Sequence, residues 1–339
     1  MAKLCLALQG GGAHGAFTWG VLDALLSDET IEIGAVSGTS AGALNAASLV
    51  TGLVEDGPGG AQARLEQLWR TVAERSPLGV VEGNMPFLPP LPRIVVHHVL
   101  ERMKVLGQLV SPYHPALPTA NALRGVVEDA IDLPLLQRQT RIPTFVSATR
   151  VDDGTPRVFT GEELTADALL ASACLPDLFR AVTIDGVDYW DGGYMGNPIL
   201  TPLFEEACDC TDLLIVQVTP FKREDTPRSV GDILSRVSEI TFNASLMRDL
   251  RTIAIIQRLA KAEEAFESPL LTRMARLRVH VISAGDELSE RRVGKLDTRF
   301  SELTKLRAYG RSATDAFLSA HREDIGRRSS AGALLASFA

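Results

Sequence analysis

The chain has 339 residues, with 45% hydrophobic and 22% charged side chains and a net charge of −8. That length can bury a large core, in one large domain or two small ones. The acidic balance argues against a general nucleic-acid binder, which would need a basic surface.

Residues 3–9, with an apolar run from Leu4 to Leu8, read as a buried strand of a parallel sheet. Gly10, Gly11, Gly12, Ala13, His14 and Gly15 follow, and then Phe17, Val21 and Leu25 mark one face of a helix. A second short apolar run, 33–37, leads into Gly38-Thr39-Ser40-Ala41-Gly42 and an Ala/Leu-rich helical stretch. Strand, glycine loop, helix, strand, turn, helix is the alternation of an α/β sheet with parallel strands at its centre. G-x-S-x-G between strand and helix places a serine on a sharp turn with its hydroxyl uncovered. Helix N-terminal amides at that point favour developing negative charge. Ser40 is therefore the candidate nucleophile, with Gly38 and Gly42 forming its elbow; the plainer alternative is an N-capping serine in a small-residue turn.

Gly10, Gly12 and Gly15 also satisfy the G-x-G-x-x-G dinucleotide fingerprint. That reading wants an acidic residue at the tip of the second strand, and Ser37-Gly38-Thr39-Ser40 stands there instead. The amides of Gly11, Gly12 and Ala13 serve better as donors to an oxyanion, where a preorganised donor is worth ~3–4 kcal/mol.

Residues 55–64 are polar and glycine-rich and read as a loop, with a helix from Leu65 through Val72 behind it. Prolines at 77, 86, 89, 90, 92, 112, 115 and 118 then punctuate an otherwise apolar segment. Such density excludes long regular elements, with one short helix expected over 94–106. Residues 77–118 read as an insertion over the sheet, either a packing excursion or an apolar lid in which Met85, Phe87 and Leu88 would touch an acyl chain. Further on, 122–130 is an amphipathic helix, 144–149 and 157–160 are strands, and 164–173 is helical. Asp185-Gly186 between two apolar alternations signals a type I′ hairpin. Its second strand ends at Asp191, followed by Gly192 and Gly193, a position suited to an aimed carboxylate; an Asx-turn is the alternative. Residues 213–219 and 279–283 are further strands, 230–265 is a long helical stretch, 288–318 is helix-like, and the tail from 326 reads as mobile. Cys5, Cys174, Cys208 and Cys210 lack a metal-type spacing and read as reduced thiols. No apolar stretch reaches the length of a membrane span, so a cytoplasmic home with at most surface contact to a membrane is expected.

A serine nucleophile needs a base. Sequence order leaves His280 and His321 open as partners in a Ser–Asp–His triad, with Asp191 acting directly on Ser40 as the alternative.

Taken together, Gly10-Gly11-Gly12-Ala13-His14-Gly15, Gly38-Thr39-Ser40-Ala41-Gly42 and Asp191-Gly192-Gly193 resemble the patatin-like phospholipase family. The run from Ser172 to Phe179 is similar to the family's segment ahead of its aspartate, and the resemblance spans about residues 3–220. It implies a three-layer α/β/α fold with a central, mostly parallel sheet and the Pro-rich apolar insertion. The chain is expected to comprise a catalytic domain at 3–220, a helical C-terminal extension at 221–325 packed on that domain, and a tail at 326–339; the region after about 225 resembles only a bacterial subset of the family. The resemblance implies a Ser–Asp dyad that hydrolyses a lipid or other ester, with Ser40 as nucleophile, Asp191 as base and the Gly10–Ala13 backbone as oxyanion hole. No metal, cofactor or nucleic acid is implied, and the oligomeric state is left open. The family's loop usually carries Arg or Lys where this chain has His14, which makes His14 a candidate for pH dependence or headgroup choice. Two other classes stay open: a lipid-binding or regulatory protein with little turnover, and a nucleotide-binding oxidoreductase.

Overall fold

A computed structural model describes residues 2–76, 111–114, 122–205, 211–223, 225–262, 266–285 and 294–338. The lid reading of 77–118, including Met85, Phe87, Leu88 and the helix expected over 94–106, falls outside the described residues but for 111–114, as do Cys208 and Cys210.

The strands are β1 (Ala2–Leu8), β2 (Ile31–Gly38), β3 (Thr144–Arg150), β4 (Pro156–Thr160), β5 (Val182–Ile184), β6 (Val187–Asp191), β7 (Asp212–Gln217) and β8 (Arg278–Ser283). They form one sheet in the order β5-β6-β3-β2-β1-β7-β8, with β4 also paired to β3. The five strands from β3 to β8 run parallel, and β4, β5 and β6 add an antiparallel edge. The helices used below are α1 (Gly15–Leu26), α2 (Ala41–Arg75), α3 (Ala122–Ala130), α4 (Leu133–Arg138), α5 (Ala166–Ser172), α6 (Thr201–Glu205), α7 (Val230–Ala262), α8 (Pro269–Arg276), α9 (Phe300–His321) and α10 (Gly332–Phe338).

The two-residue period of β1 splits the core into two layers. Leu4, Leu6 and Leu8 pack with Phe17, Val21 and Leu25 of α1 and with the inward face of α2. Cys5 and Ala7 face the other way, toward Leu246, Leu250 and Ile253 of α7 and Met274 of α8. Helices thus cover both faces of a mostly parallel sheet, the three-layer α/β/α arrangement expected from the sequence.

Two local expectations change. Residues 55–64 are helical rather than a loop: α2 continues through them, with its only non-helical backbone at Asp56 and Gly57 (φ 64°). Pro58 falls on the first turn after that kink, where its missing N–H breaks no helical bond. Cys5 is disulfide-bonded, so the expectation of reduced thiols fails there, and Cys174 is the free cysteine among the described residues.

The stretch read as a mobile tail holds defined contacts at the far edge. The Ser329 hydroxyl accepts from the Val279 amide at 3.0 Å, the Ala331 amide donates to Val279 O at 3.1 Å, and Leu335 is buried.

Helix α9 lies directly across α1. A Cβ on Gly310 would sit 2.1 Å from Phe17 O, and one on Gly20 1.9 Å from Arg307 O, so both glycines are required by backbone contact. Asp23, buried on α1, accepts from Arg307 Nε at 3.0 Å and from Arg311 at 2.6 Å. Gly310→Ala is therefore expected to lower unfolding free energy by about 1–3 kcal/mol, the usual range for overpacking, as measured by urea denaturation.

Candidate active site

The register of the sheet sets the site. Leu8, the last residue of β1, pairs with Gly38, the last residue of β2. The glycine loop and the serine elbow therefore leave the sheet side by side at its C-terminal edge, where open α/β sheets bind ligands. Gly38 pairs with Val146 on β3, and Asp191 pairs with Ala148 two residues further along the same strand. An antiparallel strand thus delivers Asp191 to the same edge, roughly 7 Å beyond the level of Gly38 at a strand rise of 3.3 Å per residue.

Ser40 sits at the first turn of α2 with φ 57° and ψ −126°. A non-glycine residue in that region is strained by about 1–3 kcal/mol and persists only where the surroundings hold it. Here they do: the Ser40 amide donates to Ser172 Oγ at 2.9 Å, and Thr39 Oγ1 donates to Gly196 O at 2.7 Å. The turn is also tight, since a Cβ on Gly42 would lie 2.1 Å from Leu8 O and one on Gly38 2.4 Å from Gly42 O. Both elbow positions must be glycine for the chain to pass.

Asp191 is fully buried and pinned through its backbone. Its amide donates to Cys174 O at 2.8 Å, and its carbonyl accepts from Thr149 Oγ1 at 2.9 Å. Oδ1 accepts from the Gly193 amide at 2.8 Å, while Oδ2 has no full hydrogen-bond partner among the described residues. Burial raises the carboxyl pKa to about 7, against the lowering effects of the Gly193 amide, the nearby Ser40 hydroxyl and the Lys295 charge. The structure thus brings Ser40 and Asp191 to one place, with the carboxyl pKa raised to near neutrality.

The histidines left open by sequence order are engaged elsewhere. His280 is buried between Asp212 Oδ1 and Ser330 Oγ, each at 3.0 Å, and His321 pairs with Asp324 at 2.9 Å. Cys174, beside Asp191, is no rival nucleophile: burial and the neighbouring carboxylate push its thiol up to about 12.

The glycine loop divides its amides. Gly10 N–H donates to Asn197 Oδ1 at 2.7 Å, and Ala13 N–H to Lys295 O at 2.8 Å. Of the four positions expected to form the oxyanion hole, these two are already engaged, which leaves Gly11 and Gly12 as the candidate donors. His14 is buried, at 7% exposure.

Sequence reading missed Asn197, Gln9, Asn243 and Lys295. Gln9 Nε2 donates to Asn243 Oδ1 at 2.9 Å, while Gln9 Oε1 accepts the amides of Val218 and Thr219, each at 2.8 Å. These buried amide side chains lace the glycine loop to β7, α7 and the segment after Asp191. Asn197→Ala would leave a buried amide unpaired, and should lower stability by about 1–3 kcal/mol, measurable by chemical denaturation.

Residues 6–204 match the family model described as patatin-like phospholipase. No curated protein matches the chain. Among solved structures, the chain is similar to VipD from Legionella pneumophila, at 13% identity over 94% of this chain and 67% of that one, with a TM-score of 0.43. It is also similar to the heterodimeric ExoU–SpcU complex from the type III secretion system of Pseudomonas aeruginosa, at 17% identity over 100% of this chain and 74% of that one, with a TM-score of 0.30.

Proposed function

This chain belongs to the patatin-like phospholipase family, and from that premise we propose that it is a serine acyl hydrolase cleaving carboxylic esters of lipids through a Ser40–Asp191 dyad. Family membership supports lipid hydrolysis in general. The observation that carries the finer reading is the convergence of a strained serine elbow and a buried carboxyl near neutral pKa at one sheet edge.

In the first half-reaction, Asp191 accepts the Ser40 proton as Oγ attacks the ester carbonyl carbon. The carbonyl electron pair moves onto oxygen, where the Gly11 and Gly12 amides and the positive end of α2 stabilise it. Collapse of the tetrahedral intermediate expels the alcohol, which leaves with the proton from Asp191, and an acyl-serine remains. In the second half-reaction, water gives a proton to Asp191 and attacks the acyl carbon. Ser40 then departs as the alkoxide and regains the proton. No step requires a metal. A carboxylate is a weak base in water, so exclusion of water around Asp191 matters to this scheme.

The test is a serine-directed fluorophosphonate together with a p-nitrophenyl ester screen. Labelling confined to Ser40 and burst kinetics are expected. An unlabelled protein without turnover would favour the lipid-binding or regulatory reading instead.

A further inference from the structure

Helix α7 has two faces with different fates. One is built into the site. Phe242 is buried and packs against Tyr194 with ring centroids 5.0 Å apart and planes tilted by 58°, and Asn243 bonds both Gln9 and the Pro220 carbonyl, each at 2.9 Å. Leu246, Leu250 and Ile253 continue that face into the core.

The other face is apolar and exposed. Val230, Ile233, Val237, Ile240 and Met247 are 66, 43, 55, 55 and 40% exposed. Their spacing of three, four, three and seven residues places them on one stripe. Further along the helix the same stripe presents Arg248 and Arg251, both exposed. The helix's acidic side chains lie off it: Glu239 is buried in ion pairs with Arg223 and Arg236, Asp232 accepts from the Ser229 hydroxyl, and Asp249 is half-buried within reach of the Arg248 charge. An isolated apolar residue at a surface needs no explanation, but an ordered row along nearly five turns does.

We propose that this outward stripe of α7 is a docking surface for an anionic lipid bilayer. The chemistry is that of an interfacial helix, with aliphatic side chains to enter the headgroup–acyl boundary and guanidinium groups to meet lipid phosphate. The chain as a whole carries −8 and would be repelled by such a surface. Only a locally cationic and apolar face reverses that, and the pairing of the two properties on one stripe selects an anionic bilayer. Because the opposite face of the same helix touches Gly193 through Phe242 and the glycine loop through Gln9, docking there would hold the site one helix diameter, ~10 Å, from the bilayer surface. The surface deepens the hydrolase reading and rests on it for its purpose, while vesicle binding itself is independent of turnover.

The experiment uses the full chain and vesicles of phosphatidylcholine with or without phosphatidylglycerol. Co-sedimentation should show binding to the mixed vesicles and weak binding to phosphatidylcholine alone. Val237→Asp with Ile240→Asp should weaken binding about tenfold or more. Arg248→Ala with Arg251→Ala should weaken it roughly twenty-five-fold, at about fivefold per arginine near an anionic surface, and only on the mixed vesicles. All four positions are exposed, so hydrolysis of a soluble p-nitrophenyl ester should be unchanged in both variants. Equal binding by wild type and variants, or no vesicle binding by wild type, would overturn the proposal. So would sedimentation velocity showing a dimer that the aspartate pair dissolves without any effect on vesicles. A wild type that binds vesicles but cleaves no ester would leave the docking surface standing and remove the hydrolase reading.

Discussion

Ser40→Ala and Asp191→Asn should each reduce ester hydrolysis by about 10⁴-fold or more, and the double variant should be no worse than either single one. In the proposed mechanism the two side chains act as one unit: without the hydroxyl no acyl-enzyme would form, and without the carboxylate its proton would have no acceptor. Members of such a unit are strongly non-additive, because loss of one removes the path through the other. Both substitutions leave the local frame in place. Ser40 is held by its own amide on Ser172 Oγ, and Asp191 by backbone bonds to Cys174 and Thr149, none of which uses the altered atoms. Initial rates on a p-nitrophenyl ester, with circular dichroism to confirm folding, measure the effect. The same carboxyl sets the pH profile. With its pKa raised to about 7, wild-type kcat/KM should climb as pH passes through neutrality and level off above it. Lys295→Met removes a charge that favours the ionised form, so the ascending limb should move to higher pH. Substantial activity in either single variant would remove the dyad.

Much of this site was legible because its signals are local. The apolar run of β1, the glycine loop, the elbow at Gly38 and Gly42 and the Asp185-Gly186 turn each declare themselves within a few residues. The turn is of the expected kind, with φ of 51° and 80° at Asp185 and Gly186. That hairpin is what aims Asp191, so the position of the carboxylate follows from short-range chemistry. The loop reading of 55–64 fails for a physical reason: Gly57 and Pro58 are loop-forming residues in most settings, but proline at a first turn and glycine just before it also restart a helix. The contacts that finish the site were not legible at all. Asn197 meets Gly10 across 187 positions of sequence, and Lys295 reaches Ala13 from the far end of the chain. Neither pairing leaves a periodic or compositional trace, since each depends on the order of strands in the assembled sheet. The division of the glycine-loop amides is therefore a tertiary property. Sequence places four donors in the loop, and only the packed structure shows that Gly10 and Ala13 are already bonded.

Asp191→Asn should also stabilise the protein, and the gain should grow with pH. Burial raises the folded-state carboxyl to about 7, above its ordinary value of 3.8. Between these values the folded chain holds a proton that the unfolded chain releases, so wild-type stability falls as pH rises through the window. Below pH 4 both states are protonated and the effect vanishes; above pH 7 both are ionised and the full burial penalty applies. At about 1.4 kcal/mol per pH unit the penalty reaches at most about 4 kcal/mol. Asparagine carries no charge, and its side-chain carbonyl can still accept from the Gly193 amide. Urea denaturation should therefore find the variant close to wild type near pH 4, and more stable by up to about 4 kcal/mol at pH 8. A difference that does not change with pH would mean that Asp191 does not carry a buried charge in the folded protein. Its role as base would then fail on thermodynamic grounds, independently of any rate. The two effects of one substitution, lost turnover and gained stability, have a single origin: the same exclusion of water that makes the carboxylate costly to bury gives it the proton affinity to take a proton from Ser40.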